Sequence, residues 1–570
     1  MRSIQMIDLL VLLFYMGLML GIGLYFRRYM KGANEYFAGG NMIPWWVGGI
    51  SLYMSSFTAW TFTGAAGFVY HTGWFGVLYF LSWPLAYFLG YRLTAARWRR
   101  SRVLSPVEYV STRFNPMTQQ ILSYILVTSG LLTRGITLVA VCKIISASVG
   151  WPIEYMIIGT GLVMLLYTLH GGLWAVSITD VVQFIFLFVI TVIVTPLCIM
   201  KVGGWHSLLQ NSAPISFHHE YAGMPYDLHY ILAFLLVNIL NANWGAAQRY
   251  YSVKDEKDAK RVGLFCSALF LTAPILFGLP PLAAKLMWPD LTTIPFFAQS
   301  SRPEDLIYLG IVLTWIPNGM IGFFIAAMFS ATMSTLSGAY NVDSSIIARD
   351  LYKGLIKPTA TNEEMLHVGK IATIFLGLIT IVTALVYANS SLGIFNLMVV
   401  FVSLFQVPIA VPMVFGLLFR KPCRRAALAS MLSGLVAGFV FRFLLGWSVG
   451  LQVYGMIVIS LGALLVYHLF RPDSMQDREQ VNQFFAKLSR PIDVMQEVLA
   501  GGKKKMISAY PIVGVNTMLI GLVIGLLAWI PGANELKTIN LFSGGFLILI
   551  GGIFYLLGRW QNRRTASSAT

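Results

Sequence analysis

Long apolar runs dominate this chain, each about 20 residues, the length a helix needs to cross the hydrocarbon core of a bilayer. Hydropathy places about fifteen of them, at 7–26, 45–70, 74–94, 119–147, 151–169, 173–200, 229–247, 262–284, 316–341, 366–387, 392–419, 426–446, 453–470, 509–531 and 540–559. Backbone polar groups in lipid must be satisfied within a helix or a closed barrel, and runs of this length fit helices. Only 11% of the 570 residues are charged and 57% are hydrophobic, against about 25% charged in a soluble domain. The expected fold class is therefore an all-α polytopic membrane protein. The first run is too long for a signal peptide, has little basic n-region and is followed by Arg27, Arg28 and Lys31, so it reads as a retained span.

The net charge of +17 does not point to nucleic acid, because the basic residues cluster in alternate loops, as membrane topology demands. Arg97, Arg99, Arg100 and Arg102 share one side with Lys257, Lys260, Arg261, Lys353 and Lys357. Arg420, Lys421, Arg424, Arg425, Lys503–Lys505, Arg563 and Arg564 fall on the same side. The loops 201–228 and 285–308 are longer and poorer in Lys and Arg. This predicts a multi-pass protein of the cell membrane with its N-terminus outside and its C-terminus in the cytoplasm. The polar segment 471–508 is long enough for one or two surface helices, with Lys503–Lys505 anchoring at anionic lipid. Cys142, Cys198, Cys266 and Cys423 form no CxxC pair and read as small core residues. No phosphate loop, HExxH or dinucleotide fingerprint occurs, so the expectation is a protein that is not an enzyme, takes no cofactor and draws no primary energy from ATP. His218, His219 and Glu220 cluster in one loop, where a solvated surface is the simplest reading.

Several apolar runs carry polar groups that need a reason to be there. In FFIAAMFSATMSTLSGAYN, residues 323–341, Ala331, Ser334, Thr335 and Gly338 fall at i, i+3, i+4 and i+7 and share one helix face. Hydroxyls on such a face either pack against a neighbouring helix or coordinate something small and polar. The second run holds Ser55, Ser56, Thr58, Thr61 and Thr63 around Met54–Gly64. A helix unwinding there would free carbonyls at mid-membrane depth. Asp180 lies about two turns inside its run, with Gln183 one turn on, and a carboxylate in lipid needs a cation or a proton. Arg134, near the middle of 119–147, has a fork that suits a carboxylate, either a solute's or Asp180 itself. Lys143 can snorkel to the interface. Asn238, Asn241 and Asn243 can line a pathway or bond between helices, and Gln248 and Arg249 mark the inner end of their span.

The run GGL-x-AV-x3-D-x2-Q at 171–183, the QR at 248–249, the hydroxyl stripe ending in ARDLYK at 348–353 and EYFAGGNMIPWW at 35–46 together resemble the sodium:solute symporter family. That family includes bacterial proline, sialic acid and galactose carriers, and the resemblance spans residues 5–470. It implies a leucine-transporter-like core of five spans and their inverted copy, starting near Trp45 and Arg261. One extra N-terminal span and about four C-terminal ones would flank this core. The expected division is 1–44, a transport core at 45–425, and 426–570 with the inside loop 471–508 and an inside tail.

The resemblance places a sodium site at the carbonyls of Met54, Phe57 and Ala331 and the hydroxyls of Ser334 and Thr335. These are hard oxygen donors of the kind Na⁺ prefers. It puts Asp180 beside this site for ion release. It offers Asp180 and Ser337 to a second ion, although Gly338 lacks the hydroxyl such a site needs. Thr61, Ser82, Leu236 and Phe270 match sugar-binding positions of the galactose carrier but mostly lack their polarity, which disfavours a hexose. Arg134 matches an arginine that holds the carboxylate in the sialic acid carrier. Ser56 stands where the proline carrier has an aspartate. Ser56, Thr61, Ser82, Arg134 and Asn243 are the expected solute contacts. The implied function is Na⁺-coupled import of a small organic solute, with a carboxylate-bearing metabolite as the first reading. The protein would act as a monomer in the bilayer. A membrane sensor built on a transporter fold and a passive channel are the alternatives.

Overall fold

A computed structural model describes residues 4–27, 39–103, 105–169, 173–298, 300–388, 390, 393–498, 509–529 and 537–567. Arg28, Lys31, Glu35–Ala38, Gly171, Gly172 and Lys503–Lys505, named above, lie outside the described residues. Among those described, eleven helices are long and apolar enough to cross a membrane, and Met6–Met19 and Ile153–Leu166 are shorter apolar helices. The runs at 45–70 and 74–94 are each in pieces. The first divides into Trp45–Ser55, Ala59–Phe62 and Gly64–Thr72, and the second into Trp74–Tyr79 and Ser82–Leu93.

Helix starts follow local chemistry. Asn115 caps Pro116–Val149 by accepting from the Thr118 N–H at 2.8 Å, with Pro116 supplying a preset φ at the first position. Gly150, at φ 78°, ends that helix in the left-handed conformation. Asp227 caps Leu228–Trp244 through the Tyr230 N–H at 2.9 Å.

The helix Met320–Ser345, which carries the hydroxyl stripe, lies at the centre of the bundle. In its most apolar 18-residue window 94% of residues are buried, against 22–67% in the other spans. It packs against Met6–Arg27, Pro116–Val149, Leu173–Lys201 and Asn362–Ala388, and touches the broken span.

The N-terminal helix Met6–Arg27 is tied to this centre by a carboxylate. Asp8, 1% exposed, accepts from the N–H groups of Gly319 at 2.6 Å and Gly322 at 2.8 Å and from the Asn318 amide at 3.1 Å. The free N–H groups at the start of Met320–Ser345 are thereby met by a negative charge. A Cβ on Gly322 would lie 2.4 Å from the Asp8 carbonyl oxygen, so only glycine permits this approach. Two turns on, the Tyr15 hydroxyl accepts from the Gln183 amide at 3.2 Å, one turn from Asp180.

Among the described residues, the regular structure is helical apart from one small sheet, which the sequence reading did not anticipate. Strand β1, His218–Tyr221, pairs antiparallel with β2, Met224–Asp227. The two-residue turn, Ala222 at φ 52° and Gly223 at φ 74°, has the positive φ values that match strand twist. His219 bonds the Ser216 carbonyl at 3.0 Å.

At the other end of the chain, Ala509–Leu527 and Lys537–Ser567 pair through glycines. A Cβ on Gly521 would lie 2.7 Å from the Gly544 carbonyl oxygen, the close backbone approach that small residues allow in lipid. Trp46 stacks on Tyr510 and Phe554, with centroids 5.1 and 5.5 Å away, which seats this hairpin on the core. The segment after residue 470 forms Met475–Ser489 and Val494–Glu497, the latter held by Arg102 to Glu497 at 2.6 Å. All four cysteines are free and buried.

Candidate ion and solute site

The broken span and the hydroxyl stripe meet at their irregular points. Trp45–Ser55 ends as Ser56 N–H turns back to the carbonyls of Met54 and Tyr53. Thr58 is extended at φ −143° and restarts the chain by accepting from Trp60 N–H at 3.1 Å. Between these points the Phe57 carbonyl is free of the helix ladder and accepts from the Thr335 hydroxyl at 3.0 Å. Thr335 lies 3.2 Å from the Ala331 carbonyl, and the Ala59 N–H donates to Thr332 at 3.1 Å. The structure therefore brings Phe57, Ala331 and Thr335 together, with Met54 in the turn just before the break.

Ser334 points elsewhere. Its hydroxyl donates to one oxygen of Asp180, while Ser51 donates to the other. The Arg249 guanidinium lies 3.7 Å from Asp180 Oδ2, and its Nε donates to Ser51 at 2.8 Å. It also reaches Ser55 at 3.3 Å and Gln248 at 2.9 Å. Asp180 is wholly buried and Arg249 is 5% exposed. A buried carboxylate with three donors is tolerable where a lone one is not. Ser337 bonds back to the Ser334 carbonyl at 3.1 Å on its own helix, and nothing lies within 4 Å of a Cβ built on Gly338.

Beside this junction is a cavity of about 500 Å³. Ser55, Ser56, Ser334, Thr335, Gln248 and Arg249 line its polar side, and Trp60, Tyr79, Trp83, Tyr87 and Phe234 its aromatic side. It extends past Trp244 to Pro106, Val107 and Ile346, the end where Arg99 and Arg100 meet the loop 253–256. Beyond Trp60, in the opposite direction, aromatic rings fill the path. Phe68 stacks on Phe395 at 4.3 Å, and Tyr221 and Tyr226 of the strand pair cover Phe68 at 5.7 and 5.0 Å. Tyr226 donates to Asn396 at 2.6 Å.

The expected solute contacts separate. Ser56 and Arg134 line the cavity, and Ser56 meets the Tyr87 hydroxyl at 2.7 Å. Thr61, Ser82 and Asn243 are buried outside its lining. Ser82 accepts from Asn238 at 2.8 Å. Asn243 is engaged with Thr94 and the Ile239 carbonyl, both at 2.7 Å. Leu236 is 37% exposed, and Phe270 stacks on Tyr87 at 5.1 Å and Trp83 at 5.4 Å. Arg134 does not meet Asp180, the protein partner the sequence offered. It pairs instead with Asp343, because Asp180 is already enclosed by Ser51, Ser334 and Arg249. Lys143 bonds the buried Asp305, in the loop 285–308, at 2.8 Å. Asp343, Ser51 and Arg249 are residues that sequence reasoning left out of the site. Arg249 was visible as the end of its span and as part of the QR motif at 248–249, with no role in the site attached to it.

The chain has relatives and structural neighbours. The model of the sodium:solute symporter family matches residues 36–434. The sodium/glucose cotransporter of Vibrio parahaemolyticus is 27% identical over 412 residues, covering 65% of this chain and 74% of the relative. The sodium/sialic acid symporter SiaT of Proteus mirabilis (strain HI4320) is 26% identical over 397 residues, covering 66% and 78%. The solved structure of a Na⁺-coupled sialic acid symporter in a substrate-bound outward-open state superimposes with a TM-score of 0.71 at 21% identity, over 82% of this chain and 98% of that one. Mhp1, a nucleobase-cation-symport-1 family transporter, superimposes with a TM-score of 0.51 at 14% identity, over 78% and 97%. These likenesses give the leucine-transporter-like fold. With the match covering the broken span, the hydroxyl stripe and the spans between them, 399 of the 570 residues, the chain belongs to the sodium:solute symporter family.

Proposed function

We propose that this protein is a Na⁺-coupled symporter that imports a small, carboxylate-bearing organic solute by alternating access. The observation that carries the reading is the contact between Thr335 and the Phe57 carbonyl at the helix break. Na⁺ is the cargo at that junction. The carbonyls of Met54, Phe57 and Ala331 and the hydroxyls of Ser334 and Thr335 supply neutral, hard oxygens, a set suited to an ion that must be released as well as bound. A cation there would draw the broken span onto Met320–Ser345. Ion and solute would then favour the same closed arrangement and so couple to each other.

Asp180 gives the ion a place to go. It borders the junction through Ser334 and is neutralised by Arg249 when the ion is elsewhere. Ser337, bonded back along its own helix, serves packing. Ser56 and Arg134 are the solute contacts on the cavity wall. The cavity reaches Pro106 and Val107, close to the basic loops, which the distribution of Lys and Arg assigns to the cytoplasm. The Phe68, Phe395, Tyr221 and Tyr226 cluster would bar the outer side, so this is the inward-facing arrangement. The N-terminus is then outside and the C-terminus inside a cell membrane.

The test is uptake of labelled carboxylate-bearing metabolites into proteoliposomes. An inward Na⁺ gradient drives accumulation and replacement by choline stops it. Accumulation driven equally by a proton gradient in choline would reject the assignment.

A further inference from the structure

We infer that the solute of this site is a zwitterion, held by its carboxylate at Arg134 and by its cationic group at Asp343; this rests on the symport reading above. Arg134 is 6% exposed and lines the cavity. Its Nη2 is bound to Asp343, while its Nε and Nη1 are buried with no hydrogen-bond partner among the described residues. Buried N–H donors of a guanidinium are rarely left unmet, and these belong to a side chain on the wall of a solute-sized space. Room for the guanidinium is built in. A Cβ on Gly130, one turn earlier, would lie 2.4 Å from Arg134 Nη2. Tyr340 supports it from the side, with its ring centroid 5.6 Å from Cζ.

Asp343 changes what such an arginine can accept. A simple anion at Arg134 would sit next to the buried Asp343 carboxylate, and that repulsion opposes binding. A solute with an ammonium or similar cation beside its carboxylate avoids this, because its cation faces Asp343 while its carboxylate takes the free N–H groups. The wall offers a further unmet acceptor, the buried Oε1 of Gln406, suited to another N–H of the same cation. The aromatic side of the wall, with Trp83, Phe234 and Phe401, suits an apolar body for the solute. Asp343 lies eight residues beyond Thr335 on one helix, about 12 Å along its axis. That places the pair on the cytoplasmic side of the ion junction.

The experiment uses the full chain in nanodiscs, with binding read by thermal shift and by displacement. The probes are L-phenylalanine, its des-amino analogue 3-phenylpropionate and its decarboxylated analogue phenethylamine, with leucine, 4-methylpentanoate and 3-methylbutylamine as a second set. The wild type is expected to bind a zwitterion at least about tenfold tighter than its matched anion and amine. Asp343→Asn should bring the anion to within about threefold of the zwitterion, with the Na⁺ dependence unchanged. If that variant does not fold, the double variant Arg134→Gln with Asp343→Asn, which buries no lone charge, should lose the discrimination altogether. Equal or tighter binding of the anions by the wild type overturns the inference, as does no binding of any probe while Na⁺ still stabilises the protein. Zwitterion preference without any Na⁺ effect would leave the assignment standing and sink the symport reading instead.

Discussion

The Thr335 hydroxyl donates to the Phe57 carbonyl across 3.0 Å, joining the central helix to the point where the second span loses its helical ladder. Each residue alone is unremarkable, since hydroxyls and free carbonyls both occur at helix contacts. Together they form a junction whose strength an ion would alter.

Thr335→Ala removes one of five oxygens from the proposed ion site. The Na⁺ concentration for half-maximal uptake should rise about tenfold, while solute affinity at saturating Na⁺ stays near wild type. Uptake titrated against Na⁺ in proteoliposomes checks this, and an unchanged half-saturation point would remove Thr335 from the site.

Asp180→Asn leaves Arg249 buried without its carboxylate. Breaking a buried pair in this way costs about 3–5 kcal/mol, so the detergent-solubilised variant should lose thermal stability and retain little transport. Adding Arg249→Gln should recover a substantial part of the stability. A strictly additive double mutant would mean that the two groups are not coupled.

Gly521→Val places a branched side chain where a Cβ already lies 2.7 Å from the Gly544 carbonyl oxygen. Overpacking of this kind costs about 1–3 kcal/mol. The C-terminal hairpin should part from itself, read as faster proteolysis after residue 529, with the Na⁺ half-saturation point unchanged.

Glu497 accepts two hydrogen bonds from Arg102, at 2.6 and 2.8 Å, and these hold its carboxyl below the usual carboxylate range. A depressed folded value means that the stabilisation is present above the unfolded pKa, about 4.3. It is lost as pH falls through the lower folded value. The pair is partly exposed, so its worth is at most about 1 kcal/mol. Protection of the segment 475–497 against hydrogen exchange, taken relative to the intrinsic rate at each pH, should fall below about pH 4, and Arg102→Ala should lower it at neutral pH. Protection unchanged across this pH range in the wild type would show that the pair does not hold this segment.

Membrane spans and their order were legible because lipid imposes a length and a polarity that any sequence must meet. The break at Ser56–Thr58 was legible too, since hydroxyls and glycine crowd an otherwise apolar run. What stayed hidden depends on which helices become neighbours. Arg134 needed a carboxylate, and Asp180 was the intramembrane one singled out nearby in the chain. Asp343 is 209 residues from Arg134 and sits past the stripe, two residues beyond the span placed at 316–341. Asn243 looked like a pathway residue and is instead spent on Thr94 and Ile239, a contact no local pattern announces. The Tyr221 and Tyr226 cover was missed because a four-residue strand in a polar loop carries little periodicity.

Asp8 lies outside the stretch of residues 36–434 that defines membership of the family, yet its carboxylate closes the start of the helix on which the proposed ion oxygens are mounted. Trimming the chain to its recognisable region would remove the carboxylate that meets the N–H groups of Gly319 and Gly322. The unit that closes this helix start is thus larger than the stretch the family shares. Engineered fusions or deletions at this end of the chain therefore need to spare the first helix.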